Sequence, residues 1–215
     1  MSGKDVTIME NINAENDRIA FGIQEDLKAR GVYAVNVIGA PGAGKTSSLI
    51  RIIEGLRGVK AYVVEGDIQS DIDTDRLKSL NIEAVQIHTG GACHIDPTLL
   101  QNTLPRLSLD QKGILFIENI GNLVCPAEFN IGENIKLLIV TATEGADKPY
   151  KYPLAFEKAE AILLNKADLM PYVDFDKAYF DKGVRALNPG APIFEVSART
   201  GEGFDEVCQW LLSRL

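Results

Sequence analysis

The sequence is poor in cysteine, histidine and tryptophan, and it lacks both a long apolar run and an excess of basic charge. Three cysteines, two histidines and one tryptophan occur in 215 residues. The cysteines show no disulfide-scaffold spacing, so we expect a reducing, cytoplasmic location. A formal net charge of −8 without a basic run argues against nucleic acid or an anionic membrane surface as a partner. No apolar run approaches the ~20 residues that a membrane helix needs, and the N-terminus has no apolar signal core.

The residues that are present alternate between strand-like and helix-like patterns. Apolar residues make up 46% of the chain, and β-branched apolar runs predict seven buried strands. These runs are VYAVNVIG, VKAYVVEG, IEAVQI, GILFIEN, IKLLIVTAT, AEAILLN and APIFEVSA. Helical patterns lie between most of them, and Pro105 must bend or end one of these helices. The alternation predicts a three-layer α/β fold in which a mostly parallel sheet carries helices on both faces.

The chain is expected to form one domain. Apolar residues recur at mostly helical spacings over 8–30, so we interpret residues 1–30 as an N-terminal helical segment and 31–215 as the α/β portion. No repeat, low-complexity tract or linker divides the chain.

A phosphate-binding loop follows the first predicted strand. The stretch GAPGAGKT, from Gly39 to Thr46, matches G-x-x-x-x-G-K-[ST] and has a strand before it and a helix after it. Its backbone N–H groups and the positive end of the helix can hold a polyphosphate. Lys45 can reach the β- and γ-phosphates, and Thr46 can ligate Mg²⁺.

A second motif points to guanine as the base. NKAD, from Asn165 to Asp168, ends a predicted strand and has the N-K-x-D pattern of GTPases. The Asp168 carboxylate can accept from N1–H and the 2-amino group of guanine, donors that adenine does not present in that arrangement. In the later SART stretch, Ser197 and Ala198 stand where GTPases close the pocket over guanine O6.

Acidic residues after two further strands are expected to support Mg²⁺. Glu118 is followed by Gly121, which makes E-x-x-G where Ras-type GTPases carry D-x-x-G. Gly121 can offer its N–H to the γ-phosphate and so sense hydrolysis. In EGDIQSDIDTD, Asp67 is our first choice for the metal or for the attacking water, and Asp73 is the second. No glutamine is placed to orient water as in Ras-type enzymes, so slow intrinsic turnover is expected.

Three interpretations of Cys93, His94 and Cys125 stay open at this point. The first is small buried cysteines beside a satisfied histidine. A catalytic Cys/His nucleophile is the second, although a GTPase needs no covalent intermediate. The third is a transition-metal site, since thiolate and imidazole suit zinc and nickel.

Three side chains fall short of a closed four-ligand shell, but a two-fold dimer would bring two copies of each together. Cys208, by contrast, lies on the apolar face of the last predicted helix, so we assign it to the core.

Several stretches together make the chain resemble the HypB family of hydrogenase nickel-incorporation GTPases, which are P-loop NTPases of the SIMIBI class. They are GAPGAGKTSSL, EGD, TGGACHIDP, FIENIGNLVCPAEF, TEGADKPYKYP, LLNKADL and SARTGEGF. The resemblance implies a Mg²⁺-dependent GTPase with GTP or GDP bound, a homodimer favoured by GTP, and a role in nickel insertion into [NiFe]-hydrogenase. It implies a nickel-delivery protein and the hydrogenase large subunit as partners.

The motifs and the resemblance together imply roles for individual residues, and the roles of Lys148 and Lys151 rest on the resemblance alone. Catalysis is expected from Lys45, Asp67, Asp73, Glu118 and Gly121, and Mg²⁺ binding from Thr46, Asp67, Asp73 and Glu118. Nickel or zinc is expected at Cys93, His94 and Cys125. Nucleotide contacts are expected from Gly42, Ala43, Gly44, Lys45, Thr46, Ser47, Lys148, Lys151, Asn165, Lys166, Asp168, Ser197 and Ala198.

The chain departs from some relatives, which carry an N-terminal Cys-x-x-Cys-Gly-Cys motif or a histidine-rich tract. With two histidines in all, it is not expected to store nickel at high capacity. The alternatives are a urease-type nickel-chaperone GTPase, disfavoured because Ala-Cys-His stands where that family has Cys-Pro-His, and a P-loop kinase or other NTPase whose cysteines are structural.

Overall fold

The computed structural model describes residues 3–67, 77 and 82–215, and the side chains among them except those of 3–13 and 67. The strands are β1 (Val32–Gly39), β2 (Lys60–Asp67), β3 (Glu83–His88), β4 (Gly113–Glu118), β5 (Ile135–Thr141), β6 (Ala161–Asn165) and β7 (Ile193–Glu195). The helices are α1 (Gly3–Arg30), α2 (Lys45–Gly55), α3 (Pro97–Thr103), α4 (Cys125–Glu128), α5 (Lys148–Lys151), α6 (Pro153–Glu157), α7 (Lys177–Leu187) and α8 (Phe204–Leu212). Short 3₁₀ helices cover Leu104–Arg106, Ala142–Glu144 and Ala167–Tyr172.

Within these described ranges the seven strands form one parallel sheet in the order β3-β2-β4-β1-β5-β6-β7. The central strand β1 pairs with β4 on one side and with β5 on the other. Both neighbours follow β1 in the chain and lie on opposite sides of it. In an open α/β sheet, such a reversal of strand order opens a crevice at the carboxyl ends of the strands.

Helices cover both faces of the sheet because the strands are apolar on both sides. On one face, α2 and α8 pack against the sheet around Leu49, Phe116 and Val207. The opposite face has two clusters. One brings Leu27 of α1 together with Leu100 of α3, and the other surrounds Phe156 and Phe180.

The architecture confirms the predicted three-layer α/β fold, and each of the seven apolar runs coincides with one of the strands, although β2 and β3 extend one residue beyond their runs. Pro105 ends its helix as predicted, since α3 stops at Thr103 and a 3₁₀ turn carries the proline. Cys208 is buried in the α2–α8 cluster, which confirms its assignment to the core. None of the helices in the described part of the chain combines the length and apolar character that a membrane span requires.

The first helix begins earlier than predicted. It runs from Gly3 rather than from residue 8, because residues 3–7 contain no proline that would stop the helix. Its end agrees with the prediction, with Gly31 in the left-handed conformation at φ 69°.

Candidate functional site

The P-loop connects the central strand to α2 at the carboxyl edge of the sheet. Gly42 and Gly44 have φ values of 75° and 87°, which side chains other than glycine rarely adopt. Gly44 also needs to be small, because a Cβ there would lie 2.5 Å from Nδ2 of Asn165. The two left-handed glycines wrap the loop over the first turn of α2, where free N–H groups and the helix dipole favour an anion.

The NKAD loop is bonded directly to the P-loop. Asn165 donates from Nδ2 to the Ala43 carbonyl at 2.9 Å, and Lys166 donates from Nζ to the Gly42 carbonyl at 2.9 Å. The Asn165 side chain also accepts from the Ala198 N–H at 3.1 Å. The structure therefore brings three separate predicted stretches, GAPGAGKT, NKAD and SART, into contact.

Two adjoining cavities lie on either side of this contact and share Gly44 and Ser47 in their linings. One has a volume of about 500 Å³ and is lined by Asp168, Ala198 and Lys166, among others. The other, of about 420 Å³, is lined by Lys45, Thr46 and Glu118. After the motifs that line them, we call the first the base-sized cavity and the second the phosphate cavity. Ser197 is fully buried and lines neither cavity, whereas its neighbour Ala198 lines the first.

A hydroxyl and a carboxylate meet in the phosphate cavity. Thr46 donates from Oγ1 to Oε1 of Glu118 at 2.8 Å, across 72 positions of sequence. Glu65 of β2, which the sequence reasoning missed, also lines this cavity and is buried. Its position opposite Glu118 in the β2–β4 register explains why both residues line the same cavity. These oxygen ligands fit a hard cation such as Mg²⁺.

Besides the buried Ala43 and Ser197, four residues predicted to contact the nucleotide or Mg²⁺ are not brought to these cavities by the described structure. Asp67 ends β2, but its side chain lies outside the described part, and Asp73 lies outside the described residues altogether. Lys148 and Lys151 form the ends of α5, where Lys151 pairs with Asp147 and Lys148 lies over the Tyr152 ring. Neither lysine lines either cavity. Their roles remain predictions.

Cys93, His94 and Cys125 come together as one cluster. The Sγ atoms of Cys93 and Cys125 are 2.9 Å apart, and Sγ of Cys93 is 3.5 Å from Nδ1 of His94. One ligand atom from each residue lies within 4.8 Å of the others. Two thiols and an imidazole at the surface form a donor set that suits nickel or zinc and leaves positions open for further ligands.

The protonation states of this cluster follow from its surroundings. The hydrogen bond to Cys125 raises the pKa of the Cys93 thiol, and partial burial adds to the effect. Burial lowers the pKa of His94, although Asp96 and Glu128 oppose that shift, so the imidazole tends to be neutral. A metal would therefore bind the imidazole readily but must displace the proton of Cys93.

Sequence reasoning missed the residues that hold this cluster in place. The His94 ring stacks on Phe129, with centroids 4.6 Å apart and planes at 11°. The Phe129 carbonyl accepts from Nζ of the buried Lys136 at 2.7 Å, and Lys136 pairs with Glu133. The stretch CPAEF did place Phe129 close to Cys125 in the sequence, but the Phe129 ring stacks on His94, which is far away in the chain.

The chain is similar to known proteins in both sequence and fold. Residues 33–195 match the family described as CobW/HypB/UreG, nucleotide-binding domain. The chain is 44% identical to the hydrogenase maturation factor HypB of Azotobacter vinelandii over 205 residues, which is 95% of this chain and 68% of that protein.

Two crystal structures are similar over nearly the whole fold. HypB from Helicobacter pylori in complex with nickel has a TM-score of 0.89 and 34% identity, over 93% of this chain and 94% of that one. HypB from Archaeoglobus fulgidus has a TM-score of 0.87 and 38% identity, over 93% of this chain and 98% of that one.

Proposed function

This chain belongs to the HypB family of hydrogenase maturation factors, within the CobW/HypB/UreG nucleotide-binding proteins, and we propose that it is a GTPase whose nucleotide state controls a nickel site. The observation that carries the proposal is that the segment from Glu118 to Cys125 lines the phosphate cavity at one end and supplies a thiol of the metal cluster at the other. Its biological role is nickel insertion during [NiFe]-hydrogenase maturation. The nickel bound by the H. pylori relative supports the choice of metal, with zinc as the other ion that this donor set suits.

The proposed base is guanine. Asp168 lines the base-sized cavity, while Asn165 and Lys166 bond to P-loop carbonyls. The carboxylate can accept from both guanine donors, whereas adenine would leave it desolvated and unpaired. Arg51 of α2 donates to the carbonyls of Ala198 and Arg199 at 2.9 and 3.1 Å, which holds the wall of this cavity in position.

The proposed reaction is in-line attack of water on the γ-phosphate, which forms a new P–O bond and breaks the bond to the β-phosphate oxygen. Lys45 stabilises the charge that develops on the phosphate oxygens. Thr46 and Glu118 would hold Mg²⁺, with Asp67 and Asp73 as the predicted further contributors, and the ion would neutralise phosphate charge when bound. No glutamine or arginine lines the described phosphate cavity, which supports a slow intrinsic rate.

The proposed metal site takes Cys93, His94 and Cys125 from each of two copies. Three donors leave a nickel or zinc shell incomplete, and the cluster is at the surface, so a second copy can reach it. We propose a homodimer favoured by GTP, a nickel-delivery protein and the hydrogenase large subunit as partners, and a cytoplasmic location.

A hydrolysis assay tests the enzymatic part of this proposal. Lys45→Ala should abolish GTP hydrolysis and leave the unfolding transition nearly unchanged, because the lysine is needed where negative charge grows during the reaction. Phosphate release from GTP and ATP is measured for both proteins, with Lys182→Ala on α7 as a control that removes an exposed lysine. Hydrolysis of GTP at the wild-type rate by Lys45→Ala would contradict the assignment of GAPGAGKT as the phosphate site.

A further inference from the structure

Two asparagines on either side of Gly121 hold the backbone on either side of His94. Asn119 accepts at Oδ1 from the Ile95 N–H at 3.1 Å. Asn122 donates from Nδ2 to the Cys93 carbonyl at 3.2 Å. The short stretch that carries Cys93 and His94 is therefore bonded at both ends to the segment that contains Gly121.

The same asparagines are bonded to the strand that leads into the P-loop. The Asn119 N–H donates to the Val37 carbonyl at 2.9 Å, and its Nδ2 donates to Oδ1 of Asn36 at 3.1 Å. The Asn122 N–H donates to the Gly39 carbonyl at 3.1 Å. Both residues thus form one set of hydrogen bonds to β1 and another to the backbone next to the metal-cluster side chains.

Asn122 also reaches the second half of the metal cluster. Its Oδ1 accepts from the Val124 N–H at 2.9 Å, directly before Cys125. A single side chain therefore bonds to the backbone next to both thiols, and a change in its position would alter the separation of the two sulfurs.

We propose that Asn119 and Asn122 are positioning residues that transmit the nucleotide state from the phosphate cavity to the nickel site. This inference rests on the proposed function, since it needs a γ-phosphate at Gly121 and a metal at the cysteines. Gly121 lies against the P-loop, because a Cβ there would be 2.9 Å from the Pro41 nitrogen. A shift of Gly121 toward the γ-phosphate would carry both flanking side chains, and through them the backbone of Cys93, His94 and Cys125.

The bound nucleotide can change the nickel affinity only if some contact differs between the GDP-bound and the GTP-bound state of the protein. The side-chain bonds of Asn122 are the direct route for that difference. Without them the same three ligands remain, so nickel should still bind, but its affinity should no longer depend on the nucleotide.

Two substitutions distinguish the contributions of the two side-chain hydrogen bonds of Asn122. Asn122→Ala removes both side-chain bonds. Asn122→Asp keeps an acceptor for the Val124 N–H and loses the donor to the Cys93 carbonyl, so it tests that link alone. The residue is only half-buried, which favours a folded variant in each case. Asn188→Ala is the matched control, because Asn188 donates to three backbone carbonyls, those of Phe156, Glu157 and Ala159, away from the metal cluster.

The experiment is a nickel titration of each full-length protein with GDP and with a non-hydrolysable GTP analogue. The wild type and Asn188→Ala should show nickel affinities that differ by roughly 5–150-fold between the two nucleotides. In Asn122→Ala and Asn122→Asp this ratio should fall close to one, whatever the absolute affinities. A ratio that survives in both Asn122 variants would overturn this inference and leave the proposed function standing. Equal affinities in the wild type would contradict the proposed switch itself, and the inference with it.

Discussion

At the scale of single residues, the members of the motif NKAD have two different roles. Asn165 and Lys166 bond to carbonyls of the P-loop and so join the base loop to the phosphate loop. Lys166 takes the left-handed conformation, φ 58°, at this turn. Asp168 lines the base-sized cavity instead, and it is the residue proposed to distinguish guanine from adenine.

Asp168→Asn should therefore weaken GTP binding. The amide turns a donor toward the donors of guanine, and two hydrogen bonds to a charged group are lost, each worth about 1.5–3 kcal/mol. Xanthosine triphosphate, which has an acceptor at the 2-position, should bind the variant better than GTP does. Competition binding of the two nucleotides measures this, with Asp174→Asn in the following loop as the control. Unchanged GTP affinity in Asp168→Asn would end the guanine assignment.

The three cysteines should respond differently to substitution. Cys93→Ala and Cys125→Ala should lose most nickel affinity and retain nucleotide binding. Cys208→Ala should retain both, because Cys208 lies in the core, where burial raises the pKa of its thiol to about 11. Because the raised pKa of Cys93 means that nickel displaces a proton, affinity should fall as pH falls, by about tenfold per unit for each proton released. Tight nickel binding that survives loss of both Cys93 and Cys125, or that is independent of pH between 6 and 8, would argue against thiolate ligation.

At the scale of elements, the segment from Glu118 at the end of β4 to Cys125 at the start of α4, which we call the switch segment, has little freedom to move without affecting both sites. It bonds to β1 through backbone and side chains, and it forms an isolated antiparallel bridge between Gly39 and Asn122. It carries the carboxylate of Glu118 at one end and Cys125 at the other. Such a short connection suits a switch. Few rotatable backbone bonds separate its two ends, so a displacement at one end is passed on to the other.

Gly121→Ala should disturb this element specifically. The new Cβ would lie 2.9 Å from the Pro41 nitrogen, a backbone atom of the P-loop, so the P-loop or the Gly121 backbone would have to shift. We expect a slower GTP hydrolysis and a weaker dependence of nickel affinity on the nucleotide. Gly22→Ala in α1 is the control, since nothing lies within 4 Å of its Cβ, and it should stabilise the protein by about 0.5–1 kcal/mol. Denaturant unfolding and a GTPase assay on both variants check this; normal hydrolysis by Gly121→Ala would contradict the role of Gly121.

The elements and the site could be predicted from the sequence to different degrees. The strands and the P-loop were predictable because a buried parallel strand is a continuous apolar run and the glycine loop is local in sequence. Phe129, Asn119 and Asn122 were not, because their roles depend on contacts with residues around Cys93, which is 32 positions from Cys125. Glu65 was missed because its position next to Glu118 is set by the order of the strands, and the local sequence pattern carries no information about that order.

At the scale of the whole molecule, the sheet order brings the nucleotide and metal sites to one edge. Strand β1 lies at the centre, and its neighbours β4 and β5 both follow it in the chain. The P-loop leaves β1 and the switch segment leaves β4, so the two emerge side by side at the carboxyl ends. The metal cluster lies beside them at the surface, where the proposed homodimer would bring a second copy of the cluster to it.

The most direct test of this account measures nickel affinity and molecular mass together, once with GDP and once with a non-hydrolysable GTP analogue. If dimer and metal prefer the same state of the switch segment, the linkage must be reciprocal. The account predicts that the GTP analogue raises the dimer fraction and changes nickel affinity by roughly 5–150-fold, equivalent to about 1–3 kcal/mol. Equal nickel affinity and equal mass with the two nucleotides would contradict it.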